Sequence, residues 1–268
     1  LGVRVVQLQP GYVRSEASAV VSAVTGGRGL PAARRRPQAE RGPGGRPWVV
    51  QNVETFGCIG LLVRHGLDWY QQVGTADEPG TRLLTVTGAV HRPGVVELPV
   101  GAPLRAALRA AGGATRPLQA LLVGGYAGRW LAPEHLDVPL TVDGIRAVGG
   151  TLGAGLVVAL PDTACGLATT ARVVRYLASQ SARQCGPCTN GLPAVAGAVE
   201  ELAAGRPSPG VLDRLSRWCG LVTGRGACSH PDGAVALVRS ALETFADDVQ
   251  QHLAGDCGRS GLDVGVPA

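Results

Sequence analysis

The sequence predicts an α+β chain of several domains: a partial α/β unit, a small α+β module and a C-terminal α-helical bundle. Three observations lead there. Between Leu84 and Leu98 apolar and polar residues alternate, turn at Arg92-Pro93-Gly94 and alternate again, as a β-hairpin does. One helical run with a Gly112-Gly113 stop follows, and then the short apolar strands Leu121–Val123 and Gly155–Leu160. Beyond Pro161 the strand signals cease and four runs of helical spacing take over.

The first unit, residues 1–77, opens on Val3-Arg4-Val5-Val6, which reads as a strand. A helix from Glu16 to Val24 follows, ended by Gly26-Gly27, and a second runs from Glu54 to His65 with Gly66 as its C-terminal stop. These make only part of an α/β unit. Since the chain holds no Met and starts on a strand-like run, Leu1 is read as a cut inside a domain. Asp77, Glu78, Pro79 and Gly80 carry the turn residues of a boundary. Residues 78–163 then combine the hairpin, a helix with Pro103 at its first turn, and the two apolar strands: a sheet crossed by one helix, of the β-grasp kind. Residues 164–256 hold helices over Ala168–Ser181, Leu192–Ala204, Val211–Trp218 and Ala234–Leu253. In the last, Val235, Val238, Leu242, Phe245 and Val249 form a narrow apolar stripe for packing on other helices. Residues 257–268 are a polar, Gly-containing tail in which Cys257 is expected to be spare.

With 268 residues, 45% of them hydrophobic, the chain can bury ordinary cores. Its longest apolar stretch, Leu152–Leu160, is about half the roughly 20 residues a membrane span needs, and no leader opens it, so a soluble, unprocessed chain without direct membrane insertion is expected. The net charge of +5 is local: Gly26–Trp48 carries Arg28, Arg34, Arg35, Arg36, Arg41 and Arg46 against Glu40 alone. With few aromatics to stack on bases, this reads as a solvated basic loop, and no nucleic-acid partner is expected.

Seven cysteines in a chain of this length without a leader point to a reducing compartment, hence to metal rather than disulfides. Cys185 and Cys188 lie between the first two bundle helices, and Cys228 lies in a Gly-rich loop before the last. Thiolate ligands need backbone N–H groups around their sulfur, and Gly-rich loops at helix ends supply them. Zinc, a dithiol, an iron-sulfur cluster and incidental thiols all remain open at this point.

The run Gln180-Ser181-Ala182-Arg183-Gln184-Cys185-Gly186-Pro187-Cys188-Thr189-Asn190-Gly191-Leu192 resembles the cluster motif E-S-C-G-x-C-x-P-C-R-x-G-L of the NADH-binding F subunits of NADH-quinone oxidoreductase (respiratory complex I). Gly224–Val235 is similar to that family's G-K-x-x-C-A-x-x-P-G-A-V segment with the distant fourth ligand. Further matches are Asn52-Val53-Glu54-Thr55, Leu67-Asp68-Trp69-Tyr70, the hairpin Gly88–Pro99 and Glu134–Pro139, so the likeness runs from about Gly11 to Leu253. It implies a flavin-type α/β domain, an SLBB module (ubiquitin-like β-grasp) and a bundle holding a [4Fe-4S] cluster. It also implies electrons passing from NADH through FMN to the cluster, with the cofactors and no protein side chain doing the chemistry. The carried-over ligands are Cys185, Cys188 and Cys228, and the carried-over cofactor contacts are Tyr12, Glu16, Asn52 and Thr55. A thioredoxin-like ferredoxin subunit or another redox subunit is the implied partner, in the cytoplasm or at the inner face of the plasma membrane through partner subunits.

The departures from the family are equally specific. Ala182 stands where the first cluster cysteine belongs, leaving water, His230, Cys219 or another group for the fourth iron, or a three-iron cluster. Cys219, beside Trp218, reads as a core residue. Tyr12-Val13-Arg14-Ser15-Glu16-Ala17 keeps the Tyr and first Glu of Y-x-x-G-E-E but loses the Gly and second Glu, Arg36-Pro37-Gln38 replaces Pro-Phe-Pro, and the Gly-rich phosphate-cradling segment is absent. FMN and NAD therefore belong to the full-length protein and are doubtful in this chain. The alternative is a redox-inactive SLBB and helical binding or assembly module whose cysteines hold zinc or nothing.

Overall fold

The structure, a computed structural model, describes residues 2–32, 42–255 and 257–265. Arg34, Arg35, Arg36, Arg41, Glu40 and the Arg36-Pro37-Gln38 segment lie outside the described residues. Five strands, β1 (Thr81–Gly88), β2 (Gly94–Pro99), β3 (Leu118–Val123), β4 (Arg129–Leu131) and β5 (Leu156–Pro161), form one mixed sheet in the order β2-β1-β5-β3-β4. The hairpin pairs β1 with β2 antiparallel, Leu84 opposite Val96. β5 lies parallel to β1, Val86 opposite Val157, and antiparallel to β3, Leu122 opposite Val158.

The central strands β3 and β5 are covered on both faces, which is why they read as unbroken apolar runs instead of alternating. Leu121, Val123, Val157 and Ala159 join Leu84 and Val86 against Leu104, Ala107 and Leu108 of α4 (Leu104–Ala110) and Ile145 of α5 (Val142–Ala147). Ala120, Leu122, Val158 and Leu160 face the other way, into a core shared with the helical region. One sheet thus serves two cores.

The helical region comprises α6 (Gly166–Ser179), α7 (Leu192–Ala203), α8 (Val211–Val222), α9 (His230–Thr244) and α10 (Ala246–Ala254). The single helix expected over Ala234–Leu253 is a correction: it starts four residues earlier, at His230, and breaks at Phe245, whose φ of −108° and ψ of 36° leave the helix. The break drops the Phe245 ring into the core, edge-on to Trp130 with centroids 5.1 Å apart. It also brings the ring over the backbone of Gly166, where a Cβ would come within 2.5 Å of it. Phe245→Ala is expected to cost about 3–5 kcal/mol of stability, the usual loss for a fully buried ring, read as a lowered urea midpoint with an unchanged m-value.

Nearer the start, α1 (Ala17–Val24) and α2 (Val53–His65) form as expected, with Gly66 ending α2 at φ 88° and leading into the short α3 (Leu67–Tyr70). The strand expected at Val3–Val6 is not formed: Val3 and Val5 are 92% and 93% exposed, and no strand among the described residues pairs with them. α2 buries none of its residues and leaves Val53, Phe56, Ile59 and Val63 exposed. Its Glu54 carboxylate accepts the Leu83 N–H at 3.0 Å, which moors it to β1. No helix among the described residues is long and apolar enough to cross a membrane.

Candidate metal centre

After α6 ends at Ser179 the chain must reverse before α7, and it does so through Arg183, which at φ 52° is the only described non-glycine residue with positive φ. The family motif carries glycine at that place, where no Cβ opposes the left-handed turn. The turn aims the Arg183 N–H at the thiol of Cys188. A π-helical turn, Pro187–Gly191, then runs into α7 and buries Cys188 beneath it, while Cys185 stays half-buried. Opposite lies the Gly-rich loop before α9. There the Ala227 N–H bonds the Cys185 thiol, and Cys228 is close enough to act electrostatically on Cys188.

Cys185 and Cys188 are thus paired under main-chain N–H groups with Cys228 nearby, although among the described residues the three sulfurs do not all lie within 4.8 Å of one another. Their electrostatics differ. Burial pushes the Cys188 thiol up to about 12, with the neighbouring Cys185 and Cys228 adding to the effect. At Cys185 burial also opposes ionisation, but the N–H groups of Ala227 and Cys188 together with the Cys188 thiol outweigh it, so Cys185 lies below the ordinary thiol value. Of the Cys185–Cys188 pair, Cys185 ionises first, with Cys188 donating to it.

Ala182 sits half-buried at the entry of the same loop and offers no ligand atom. His230, at the start of α9, is 8% exposed, and burial holds its imidazole below the usual value and so neutral. Its Nε2 lies 2.8 Å from the Leu177 carbonyl, which fixes the ring proton on Nε2. Its Nδ1 is buried without a hydrogen-bond partner among the described residues, so a lone pair is left bare two residues from Cys228. Cys219 is a core residue of α8, its thiol raised by burial and its nearest charged influence Arg239.

A cavity of about 850 Å³ adjoins this centre. Cys228, His230 and Tyr176 line one side of it, and Tyr12 and Glu16 the other. The Tyr12 ring meets Tyr176 edge-on at 6.0 Å and His230 at 5.5 Å. Two tethers hold the N-terminal segment there: the Tyr12 N–H donates to Gln180 Oε1 at 3.3 Å, and Gln184 Nε2 donates to the Pro31 carbonyl at 2.8 Å. Both glutamines flank Ala182, so the loop that holds the thiols also anchors the segment across the cavity. Composition and spacing give no signal for these tethers, which join positions more than 150 residues apart.

Asn52 and Thr55 stand elsewhere, in a second cavity of about 340 Å³ beside α2, with Ala154 shared between the two. Their polar atoms are engaged with each other: Asn52 Oδ1 accepts from Thr55 N at 2.8 Å and Thr55 Oγ1 at 2.7 Å, capping α2. Glu16 caps α1 in the same way, its Oε2 accepting from Ser18 N at 2.9 Å, Ala19 N at 3.2 Å and the Ser18 hydroxyl. Of the four expected cofactor contacts, two face the metal centre and two do not.

Residues 168–252, which span α6 to the last turns of α10, match the NADH-ubiquinone oxidoreductase-F iron-sulfur binding region, and residues 83–125 match the SLBB domain. With cysteines on a helical region beside a match to the SLBB domain, the chain resembles iron-sulfur subunits of oxidoreductases. Over about nine-tenths of its length the chain is similar to the F subunits of NADH-quinone oxidoreductases. It is 33% identical over 246 residues to the NADH-quinone oxidoreductase F subunit of Mycobacterium bovis, covering 91% of this chain and 55% of the relative. It is 29% identical over 243 residues to that of Escherichia coli, covering 89% and 55%. A solved NAD+-reducing [NiFe]-hydrogenase in its H2-reduced state superposes with a TM-score of 0.83 at 28% identity, over 91% of this chain and 42% of that one. The chain spans about half the length of the curated relatives it matches.

Proposed function

We propose that this chain is the electron-relaying portion of an F-subunit-like component of an NADH-quinone oxidoreductase or related NADH dehydrogenase, with a cluster of the [4Fe-4S] type on Cys185, Cys188 and Cys228. The observation that carries the reading is the pairing of Cys185 with Cys188 under the N–H groups of Arg183, Cys188 and Ala227, with Cys228 close by on the wall of the 850 Å³ cavity. Such N–H groups are what thiolates on an iron cluster need, so the residues fit the group. When bound, the cluster supplies one-electron transfer. The chain's own part is to hold Cys185 ready as a thiolate, to keep Cys188 dry, and to offer His230 Nδ1 as a neutral donor where Ala182 gives none.

In this reading residues 1–77 are part of a flavin-binding α/β domain, which accounts for the uncovered apolar residues of α2. Residues 78–163 are an SLBB module of the β-grasp type, supported by the parallel pairing of β1 with β5 and the crossing helix α4. Residues 164–256 are the cluster-bearing bundle and 257–268 its tail. The described residues do not fit a flavin: Asn52 and Thr55 lie apart from Tyr12 and Glu16, and three of the four are engaged as helix caps. A flavin fluorescence titration is expected to find no binding of FMN below about a micromolar, and stopped-flow mixing with NADH no oxidation, because Glu16, Asn52 and Thr55 are engaged as helix caps at two separate cavities. Submicromolar FMN binding refutes that.

The partner proposed is a redox subunit such as a thioredoxin-like ferredoxin, in the cytoplasm or at the inner face of the plasma membrane through partner subunits. The reading is tested by anaerobic reconstitution with iron and sulfide, which is expected to give a brown chain. The second reading, a redox-inactive binding or assembly module, is favoured by one observation, Ala182, and predicts a colourless chain with zinc or no metal.

A further inference from the structure

Helix α6 is 14 residues long, so about 21 Å separates its two ends, and the three thiols described above lie beyond its C-terminus. At its N-terminus stands another group of donors. Cys165 Sγ, a His252 ring nitrogen and Cys257 Sγ all lie within 4.8 Å of one another, Cys165 Sγ and His252 Nε2 being 3.3 Å apart. Cys165 and His252 are buried and Cys257 half-buried, so Cys257 is not the spare tail thiol that its polar surroundings in the sequence suggest.

We propose that Cys165, His252 and Cys257 form a Cys2His site for a borderline-soft divalent cation, zinc by its donor set, that pins the C-terminal tail to the start of α6. Ligand atoms sharing one tetrahedral zinc lie roughly 3.5 Å apart, so the observed spacing needs only a small contraction. The site is also prepared for thiolates. Cys165 is the N-cap of α6, its sulfur accepting the Ala168 N–H at 3.3 Å, and the helix N-terminus favours negative charge there. The Arg259 guanidinium, paired with Asp248, interacts with the Cys257 thiol. Burial pushes the Cys165 thiol up to about 11. Binding of the cation then displaces a proton from each thiol, two in all. The imidazole aimed at Cys165 separates this arrangement from a mere disulfide pair, which needs no nitrogen donor.

What the cation fastens is already threaded along α6. The Cys165 N–H donates to the Ser260 carbonyl at 2.8 Å, the Leu262 N–H to Thr169 Oγ1 at 2.9 Å, and the Tyr126 hydroxyl to the Val264 carbonyl at 2.9 Å. Tyr126 in turn packs edge-on against Tyr176, a wall of the 850 Å³ cavity.

Zinc analysis of the full chain after gel filtration, with Cys257→Ser and the double variant Cys185→Ser/Cys228→Ser beside it, tests the assignment. The native chain and the double variant are expected to retain about one zinc each, which cobalt(II) replaces with a thiolate-to-cobalt charge-transfer band. Cys257→Ser, altering only a tail residue, is expected to lose that band and to bind cobalt more than about 100-fold more weakly, beyond the 10–100-fold typical of supporting residues. Zinc content indifferent to Cys257→Ser overturns the proposal. So does zinc lost with the double variant instead, or a Cys165–Cys257 disulfide that after reduction takes up no cobalt. None of these outcomes depends on whether iron binds at the other end of α6.

Discussion

Cys185→Ser is expected to leave the chain colourless after anaerobic reconstitution, with bound iron falling from about three or four per chain to less than about one. At Cys185 the N–H groups of Ala227 and Cys188 and the Cys188 thiol together outweigh burial, so of the pair Cys185 is the one that presents a thiolate to iron. A serine hydroxyl does not ionise under those N–H groups, and Cys188, held protonated by burial, cannot start assembly in its place. The loss is expected to be all-or-none because Cys185 and Cys188 share one turn and their thiols are hydrogen-bonded to each other. Cys257→Ser serves as the control: it lies at the far end of α6, and iron should be unchanged. Full iron retention in Cys185→Ser removes the ligand assignment.

Ala182→Cys is expected to raise iron toward about four per chain and to slow the bleaching of the brown colour in air several-fold. Ala182 enters the loop one residue before the left-handed turn at Arg183, so a thiol there restores the C-x-x-C-x-x-C spacing without altering α6 or the π-helical turn. An iron held by water or imidazole exchanges more readily than one held by thiolate. If His230 Nδ1 already closes the site, Ala182→Cys leaves the bleaching rate unchanged and His230→Ala accelerates it instead, since the Nδ1 lone pair has no other partner among the described residues. Indifference of bleaching to both substitutions contradicts a cluster at this loop.

Much of the fold was legible in residue patterning, and the reasons differ by element. The hairpin and α4 carry their own punctuation, Pro-Gly at the turn, Pro103 before the helix and Gly112-Gly113 after it, so local chemistry names them. β4 was missed because three residues, Arg129-Trp130-Leu131, show no period; only pairing to β3 makes them a strand. α5 was missed as a six-residue helix with Gly144 inside it, although Thr141, whose hydroxyl accepts the Gly144 N–H at 2.9 Å, is a cap that could have announced it. The break at Phe245 is invisible in a stripe that continues through it. It is set by the space over Gly166, which only tertiary packing defines.

At the candidate metal centre the motifs named Cys185 and Cys188 on one loop and Cys228 on another, because the sequence around each is a local property. They could not name Gln180 and Gln184 as tethers, nor separate Asn52 and Thr55 from Tyr12 and Glu16, because those depend on how distant segments meet. The donors Cys165, His252 and Cys257 escaped for the same reason, Cys165 and His252 being 87 residues apart.

The central claim, that three thiols at the end of α6 hold an iron-sulfur cluster, is tested most directly by electron paramagnetic resonance of the reconstituted, unmodified chain, as prepared and after dithionite. The predicted result is a spectrum from about three or four irons per chain: a signal in the oxidised sample if the ligand-poor iron is lost, or silence that becomes a signal on reduction if His230 or another group retains it. A colourless sample, silent in both states and holding only zinc or no metal at Cys185, Cys188 and Cys228, contradicts the claim.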